Sequence, residues 1–322
     1  MLSINGKVLK INSHWLNKTP EALPPFTLRL SFPIGYPPTF TLGTGVQKYS
    51  DPNIWDLTYE NTNWSHLLED LRPEDGSFEV IDGNTSGVTN MSYMYKGASV
   101  SRIVDDLDTS SVTNMAYMFG PYGSENSYTQ GGLRAAPRMN TSNVTDMTRM
   151  FYGQGQIEST PNYDTRKVQN MEGLFEGCSH LITAPNLATS SATSMQRMFS
   201  DCEWLQNVPV YDTRNVQNMN YLFNKCTMLQ TLPLLDMSSV RFMNYMCFQT
   251  AIQAIPALNP VVVEEMNRAF YQTTYVQSGS LDLYNRVNSL NPAHRSTFYR
   301  CGYGTTNGRA ELDQIPSGWK GI

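Results

Sequence analysis

Charge is scarce in this chain and nowhere concentrated. Asp, Glu, Lys and Arg make up 16% of its 322 residues, the formal charge is −5, and no block of Lys and Arg occurs. A nucleic-acid binder needs a basic stripe that tracks phosphate, so nucleic acid is excluded as the expected ligand. Long apolar runs are missing too. Nothing approaches the roughly 18 consecutive apolar residues of a membrane span, so insertion into a membrane is not expected. The opening residues Met1, Leu2, Ser3, Ile4, Asn5 and Gly6 lack a basic segment followed by an apolar run, and no secretory signal is expected. The chain has 5 Cys, an odd number at dispersed positions, which argues against a disulfide scaffold.

Signatures of catalysis are equally sparse. There is no Gly-x-Ser-x-Gly elbow. Gly43-Thr44-Gly45 lacks the third glycine and the helix of a dinucleotide fingerprint. No Cys-x-x-Cys pair offers zinc-ligand spacing, and His14, His66, His180 and His294 are scattered. The acidic pairs Asp105-Asp106 and Glu264-Glu265 fall on positions expected to be solvated. These absences lead us to expect no cofactor, no metal and no enzymatic activity. A polysaccharide depolymerase stays open as the enzymatic alternative, because it needs only two carboxylates facing one cleft.

What the chain does have is a repeat. The motif Val-x-(Asn/Asp)-Met-x-x-(Met/Leu)-Phe puts its first Met at Met91, Met115, Met147, Met171, Met195, Met219, Met243 and Met266. Successive intervals are 24, 32, 24, 24, 24, 24 and 23, by subtraction of those positions. The long interval marks a surface insertion around Gly120–Gly132, rich in Gly, Ser, Tyr and Asn. A segment such as Asp108-Thr109-Ser110-Ser111 or Asp212-Thr213-Arg214-Asn215 precedes each motif, and these residue types cap helix N-termini. Apolar residues then recur as in Val144, Met147, Met150 and Phe151, which predicts one face of a short helix. A second pattern of period three follows, as in Leu181, Ala184, Pro185 and Leu187, and predicts a short parallel strand. The prolines 185, 209, 233 and 256 should mark its end, since proline cannot donate to a ladder.

One such turn is too small to bury its own apolar face. Neighbouring turns must cover each other and share backbone hydrogen bonds. The expectation is therefore an α/β solenoid of about eight turns, each a short helix plus a short parallel strand, and about 40 Å long at the usual strand spacing. Residues 78–271 form this array. Residues 1–77 are expected to be a β-rich N-terminal cap or attachment domain, and 272–322 a small helical C-terminal cap. Ile4-Asn5-Gly6-Lys7-Val8 predicts a hairpin. Phe26, Leu28, Leu30 and Phe32 alternate with polar residues as in a half-buried strand, and Trp55, Leu57, Tyr59 and Trp64 offer bulk to close the stack. Phe298-Tyr299-Arg300-Cys301 echoes the repeat as a degenerate last turn.

Asp108-Thr109-Ser110-Ser111-Val112-Thr113-Asn114-Met115, Met118-Phe119, and the Phe-x-x-Cys-x-x-Leu of Phe199 to Leu205 resemble the BspA-like leucine-rich repeats of bacterial surface proteins. The resemblance covers roughly residues 78–272. It implies extracellular adhesion or protein binding, with no catalytic residues to carry over. Similar arrays occur in phage and prophage proteins. The compact build points by analogy to a virion-attached subunit (a head fibre, decoration or tail-associated protein) located on the virion surface. Alternatives are a bacterial cell-surface or secreted adhesin and the depolymerase above. An end cap would hold the virion or cell-surface partner, a glycan or host surface protein would be the ligand, and self-association into a homo-oligomer is compatible with this picture.

Cys178, Cys202 and Cys226 share one column and read as a ladder of small buried thiols; a disulfide between turns or metal ligation is the alternative. The Asp and Asn column from Asn84 to Asn259 reads as backbone capping, with a calcium ladder as the alternative. The free positions of the strand face are the candidate binding residues: Arg102, Arg134, Arg138, Glu158, Asn162, Thr183, Asn186, Gln206, Asn207, Gln230 and Gln253. Guanidinium and amide groups there offer oriented donors and acceptors. Tyr122 and Tyr128 of the insertion add a second candidate contact.

Overall fold

A computed structural model describes residues 3–4, 7–8, 26–32, 44–47, 54–69, 78–98, 100–104, 107–121 and 133–321. Tyr122 and Tyr128 lie outside these residues, as do Asp105 and Asp106. Strands β1 (Ser3–Ile4) and β2 (Lys7–Val8) pair antiparallel across the Asn-Gly connection. Strands β3 (Thr27–Ser31), β4 (Thr44–Gln47), β5 (Ile54–Thr58), β6 (Phe78–Asn84) and β7 (Val100–Ile103) form a second sheet in the order β4-β5-β3-β6-β7. Its pairings are antiparallel except β6 with β7, which is parallel. Leu28, Leu30 and Phe32 are buried, and Arg29 pairs with the buried Asp56 at 2.8 Å.

From there the chain stacks on itself at the repeat period. Parallel bridges join Asn63, Asn90, Asn114, Asp146, Asn170, Ser194, Asn218, Phe242, Glu265 and Ala293 into one column. That column runs past residues 78 and 271 at both ends. Trp64 takes the place of the first Met in the opening turn, and its N–H donates to the Asn90 carbonyl at 2.7 Å. At the far end the Met266 N–H donates to the Ala293 carbonyl at 2.7 Å.

The segments expected to be helices are not helices. In each turn, alternate N–H groups donate to the next turn: Met91 to Asn114, Tyr93 to Ala116, Tyr95 to Met118 and Gly97 to Gly120, at 2.8–2.9 Å. The N–H groups between them close tight turns, Met94 to Met91 at 3.2 Å and Ala98 to Tyr95 at 3.0 Å. A helix would spend every N–H inside its own segment. Here half of them tie the stack together. The third residue of these two turns has a positive φ, at Tyr93 (57°) and Gly97 (69°), which is the geometry of type II turns. Among the described residues, helices occur only near the C-terminus: α1 (Ser280–Val287), α2 (Thr306–Gln314) and α3 (Ser317–Lys320).

The expected strand is also reduced. Bridges Thr183↔Asn207 and Ala254↔Ser278 and single bonds such as Ala184 N–H to the Asn207 carbonyl (2.9 Å) stand where a continuous ladder was expected. Pro185, Pro209 and Pro233 remove a donor from the following position. The Asp-Thr segment works as a turn. The Asp108 carboxylate accepts the Ser110 N–H at 2.9 Å, while the buried Thr109 hydroxyl donates to the Asn140 carbonyl of the next turn at 2.9 Å. Thr165, Thr189 and Thr213 repeat that bond at 2.8–2.9 Å.

Between these backbone columns lies the core. The eight Met of the motif are buried, and Tyr95, Phe119, Phe151, Phe175, Phe199 and Phe223 stack ring on ring with centroids 5.3–5.9 Å apart. All five Cys are free and buried. The Cys178, Cys202 and Cys226 thiols donate to the Phe151, Phe175 and Phe199 carbonyls at 3.1–3.2 Å. Burial raises the pKa of each of the three. At the C-terminal end, the Phe298 N–H donates to the Trp319 carbonyl at 3.0 Å and His294 stacks on the Trp319 ring at 3.9 Å. Glu311 of α2 accepts the Ser280 N–H at 2.8 Å and its hydroxyl at 2.6 Å, capping α1.

Candidate recognition surface

Alternation along the second half of each repeat decides what reaches the surface. In Trp204-Leu205-Gln206, Met228-Leu229-Gln230 and Tyr275-Val276-Gln277 the middle residue is buried and both flanks are exposed. Extended backbone sends successive side chains to opposite sides, so the flanking residues share a face. Backbone bonds hold neighbouring copies side by side: Gln206 N–H to the Ile182 carbonyl at 2.9 Å, Gln253 to Gln230 at 3.0 Å, and Gln277 to Gln253 at 2.8 Å.

Every candidate strand-face residue within the described residues is exposed: Arg102, Arg134, Arg138, Glu158, Asn162, Thr183, Asn186, Gln206, Asn207, Gln230 and Gln253. Ten of them fall into three columns. Arg102, Glu158, Gln206 and Gln230 each stand 11 residues after the first Met of their motif, as 102 − 91 and 206 − 195 show. Gln253 holds the equivalent place in a repeat one residue shorter, and Gln277 extends the column. Thr183 and Asn207 face each other across a bridge. Arg138, Asn162 and Asn186 form the third column, where Asn162 accepts the Asn186 N–H at 2.9 Å. Some of these groups are engaged locally. Arg102 lies 3.6 Å from Glu79, and the Gln253 amide donates to Gln230 at 3.3 Å.

Reading the sequence alone missed the apolar part of this face. Trp204 (47% exposed), Met228, Tyr275 (60%) and Tyr303 (61%) stand nine residues after the first motif position of their turns, as 204 − 195 and 303 − 294 show. Val210 and Leu234 are exposed on the other flank. The signal that marks them is size at a column occupied elsewhere by small or polar residues, such as Ala251 and Gln156. Large exposed apolar groups gathered in one strip are unusual on a monomer and mark contact sites.

A second ladder runs along the turn ribbons. His66, Tyr93 and Tyr117 stack at 4.7 and 4.9 Å, and Arg197, Tyr221 and Tyr245 continue at 4.4 and 4.8 Å. Between the two runs Gly173 leaves a gap. A Cβ there would meet Arg149 Cγ at 2.6 Å, so Arg149 occupies the space and reaches the buried Glu176 at 3.2 Å. Arg197 approaches the same carboxylate from the other side at 3.3 Å. Burial raises the Glu176 pKa despite both guanidiniums, which pull it down. Ion pairs tie these three side chains together, so the ladder reads as a structural clamp.

The capping column offers no cation cage. Asp164 and Asp212 are tied to Arg166 and Arg214, and the Arg166 hydrogen bonds hold Asp164 down at about 2. Among the described residues no group of three or more His, Cys, Asp or Glu is placed to hold a metal. Likewise no helix is long and apolar enough to cross a membrane.

No curated protein and no solved structure matches the chain. A family model does match, in four overlapping segments over residues 76–183, 124–207, 155–255 and 193–295. Those segments together span residues 76–295 and cover more than half of the sequence, so the chain belongs to the family described as Mycoplasma protein of unknown function, DUF285.

Proposed function

We propose that this protein is a non-enzymatic recognition and display protein of the BspA-like leucine-rich-repeat type. Its stacked turns would present the exposed strip to a host surface, and the N-terminal sheet would attach it to a larger assembly. The observation that carries this reading is the strip itself, with Trp204, Met228, Tyr275 and Tyr303 exposed while Leu205, Leu229 and Val276 beside them fill the core. Rigid repeat arrays bind through such continuous faces. A depolymerase draws less support. Of the described acidic pair, Glu264 lies 2.7 Å from Arg241, and Glu265 accepts from Asn244 at 2.7 Å, so both carboxylates are engaged between neighbouring turns.

The carrier we propose is a virion, with the array on its surface. The family description names a Mycoplasma protein, which favours a bacterial cell-surface adhesin as the second reading. Immunogold labelling of purified particles and of intact cells separates the two. The recognition role itself is tested by flow cytometry of the labelled full chain on host cells. Wild-type protein should bind, and a Trp204→Asp/Tyr275→Asp variant with an unchanged circular dichroism spectrum should not. Equal binding by both would refute the reading.

A further inference from the structure

The strip is divided by charge. Its described residues 100–104, 133–138 and 156–162 contain Arg102, Arg134, Arg138 and Glu158. The equivalent windows of the next five turns, 180–186, 204–210, 228–234, 251–257 and 275–281, contain no Asp, Glu, Lys or Arg. Surface normally carries the charge of a protein, so an exposed face this long without any is a selective statement about its ligand. A face that bound acidic or basic peptides would carry the opposite sign. One that bound nucleic acid or a sulfated polymer would be basic.

What the uncharged half offers is amide beside ring. Gln206, Gln230 and Gln253 run down one column, and each amide both donates and accepts. Two residues before them stand Trp204, Met228 and the small Ala251, and in the next turn Tyr275 precedes Gln277 in the same way. Ring faces stack on C–H surfaces, while amides match hydroxyls that also both donate and accept. The amide column repeats once per turn, and the Trp204 and Tyr275 rings stand three turns apart beside it, so a linear ligand with a regular repeat can meet several turns in succession.

We propose that residues 204–278 of the exposed face bind an uncharged glycan, with Trp204 and Tyr275 as stacking platforms and the Gln column as the hydroxyl reader. This rests on the recognition reading above and adds the ligand class. The test uses the full chain and isothermal titration with neutral hexaoses (gluco-, manno- and galacto-configured, in several linkages), with heparin and polysialic acid as charged probes. We expect at least one neutral hexaose to bind, with little change between about 50 and about 500 mM salt. Trp204→Ala and Gln230→Ala should each weaken that binding about tenfold or more, and Lys167→Ala, exposed in a capping turn and not in the strip, should leave it unchanged. Both lost side chains are exposed, and matching melting curves will show that the variants fold.

Binding of the charged probes alone, a steep salt dependence, insensitivity to Trp204→Ala, or no binding to any neutral hexaose at about 1 mM would each overturn the glycan assignment. Periodate treatment of the host cells separates this failure from that of the parent reading. Adhesion that needs Trp204 and survives periodate removes the glycan and keeps the recognition face. Adhesion that needs neither removes both. A protein partner docked on Val210 and Leu234 would give the former result.

Discussion

Tyr95 and Tyr211 are chemically identical and nearly equally buried, yet their hydroxyls meet opposite fates. Tyr211 donates to the Pro185 carbonyl at 2.7 Å, a bond repeated by Tyr163 to Pro137 at 2.7 Å. The Tyr95 hydroxyl is buried in the aromatic column with no hydrogen-bond partner among the described residues, at a position that seven later turns fill with Phe. Leaving a buried polar group unpaired costs about 1–3 kcal/mol, and a made bond contributes about 1. Tyr95→Phe should therefore stabilise the chain by about 1 kcal/mol, and Tyr211→Phe should destabilise it by about 1–2. Urea unfolding of the two variants side by side reads both signs. A loss of stability in Tyr95→Phe would show that its hydroxyl has a partner, such as a buried water. Burial pushes the pKa of both phenols up, so neither variant should change the response to neutral pH.

At the scale of the element, the turn ribbon makes a prediction opposite in sign to that of a helix. Gly177 has φ 75°, and its N–H donates across the stack to the Ser200 carbonyl at 2.8 Å. Inside a helix, Gly→Ala would stabilise by about 0.5–1 kcal/mol. In a ribbon that needs a left-handed residue, Gly177→Ala should instead cost about 1 kcal/mol, measured by the shift of the urea midpoint. The same residue explains what could and could not be read in advance. Met147, Met150 and Phe151 were legible as core because their type and period report burial. They misled about the backbone because three- and four-residue spacing suits a helix and a pair of successive turns equally well. The discriminating signal was present in Gly97, Gly153, Gly173 and Gly177, which recur where positive φ is required. Tyr, Arg and Lys hold the same conformation in other turns, at Tyr221, Arg197 and Lys225, and so obscured it. Trp64 and His294 escaped notice as members of the stack because neither is a Met and their spacings, 27 and 28 residues, leave the period. On the candidate face, amides were found by looking for hydrogen-bonding groups. Trp204 and Tyr275 were overlooked because an aromatic residue in a periodic chain reads as core until its neighbours Leu205 and Val276 are seen to occupy the inside.

The stack behaves as a line of neighbours, because among the described residues each turn hydrogen-bonds to the turn before and the turn after it. Stability in such a stack is close to a sum of local terms and nearest-neighbour interfaces, so damage should stay where it is made. The C-terminal end is the place to test this. Trp319 is buried, lies 6.2 Å from Phe298, stacks on His294 and supplies the carbonyl that takes the Phe298 N–H. Trp319→Ala keeps that carbonyl and removes the ring, at a cost of about 3–5 kcal/mol for a buried aromatic. Spread over a cooperative globule, this loss would speed amide exchange everywhere. In a nearest-neighbour stack it should open the turn around residues 294–301 first, with a smaller effect at 266–273 and none across 147–200. Hydrogen exchange with peptide-level resolution distinguishes the two outcomes. A uniform loss of protection would mean that the repeats fold as one unit. A graded loss would mean that the face bearing Trp204 and Gln230 stays rigid while the end frays, which is the property a displayed recognition array needs.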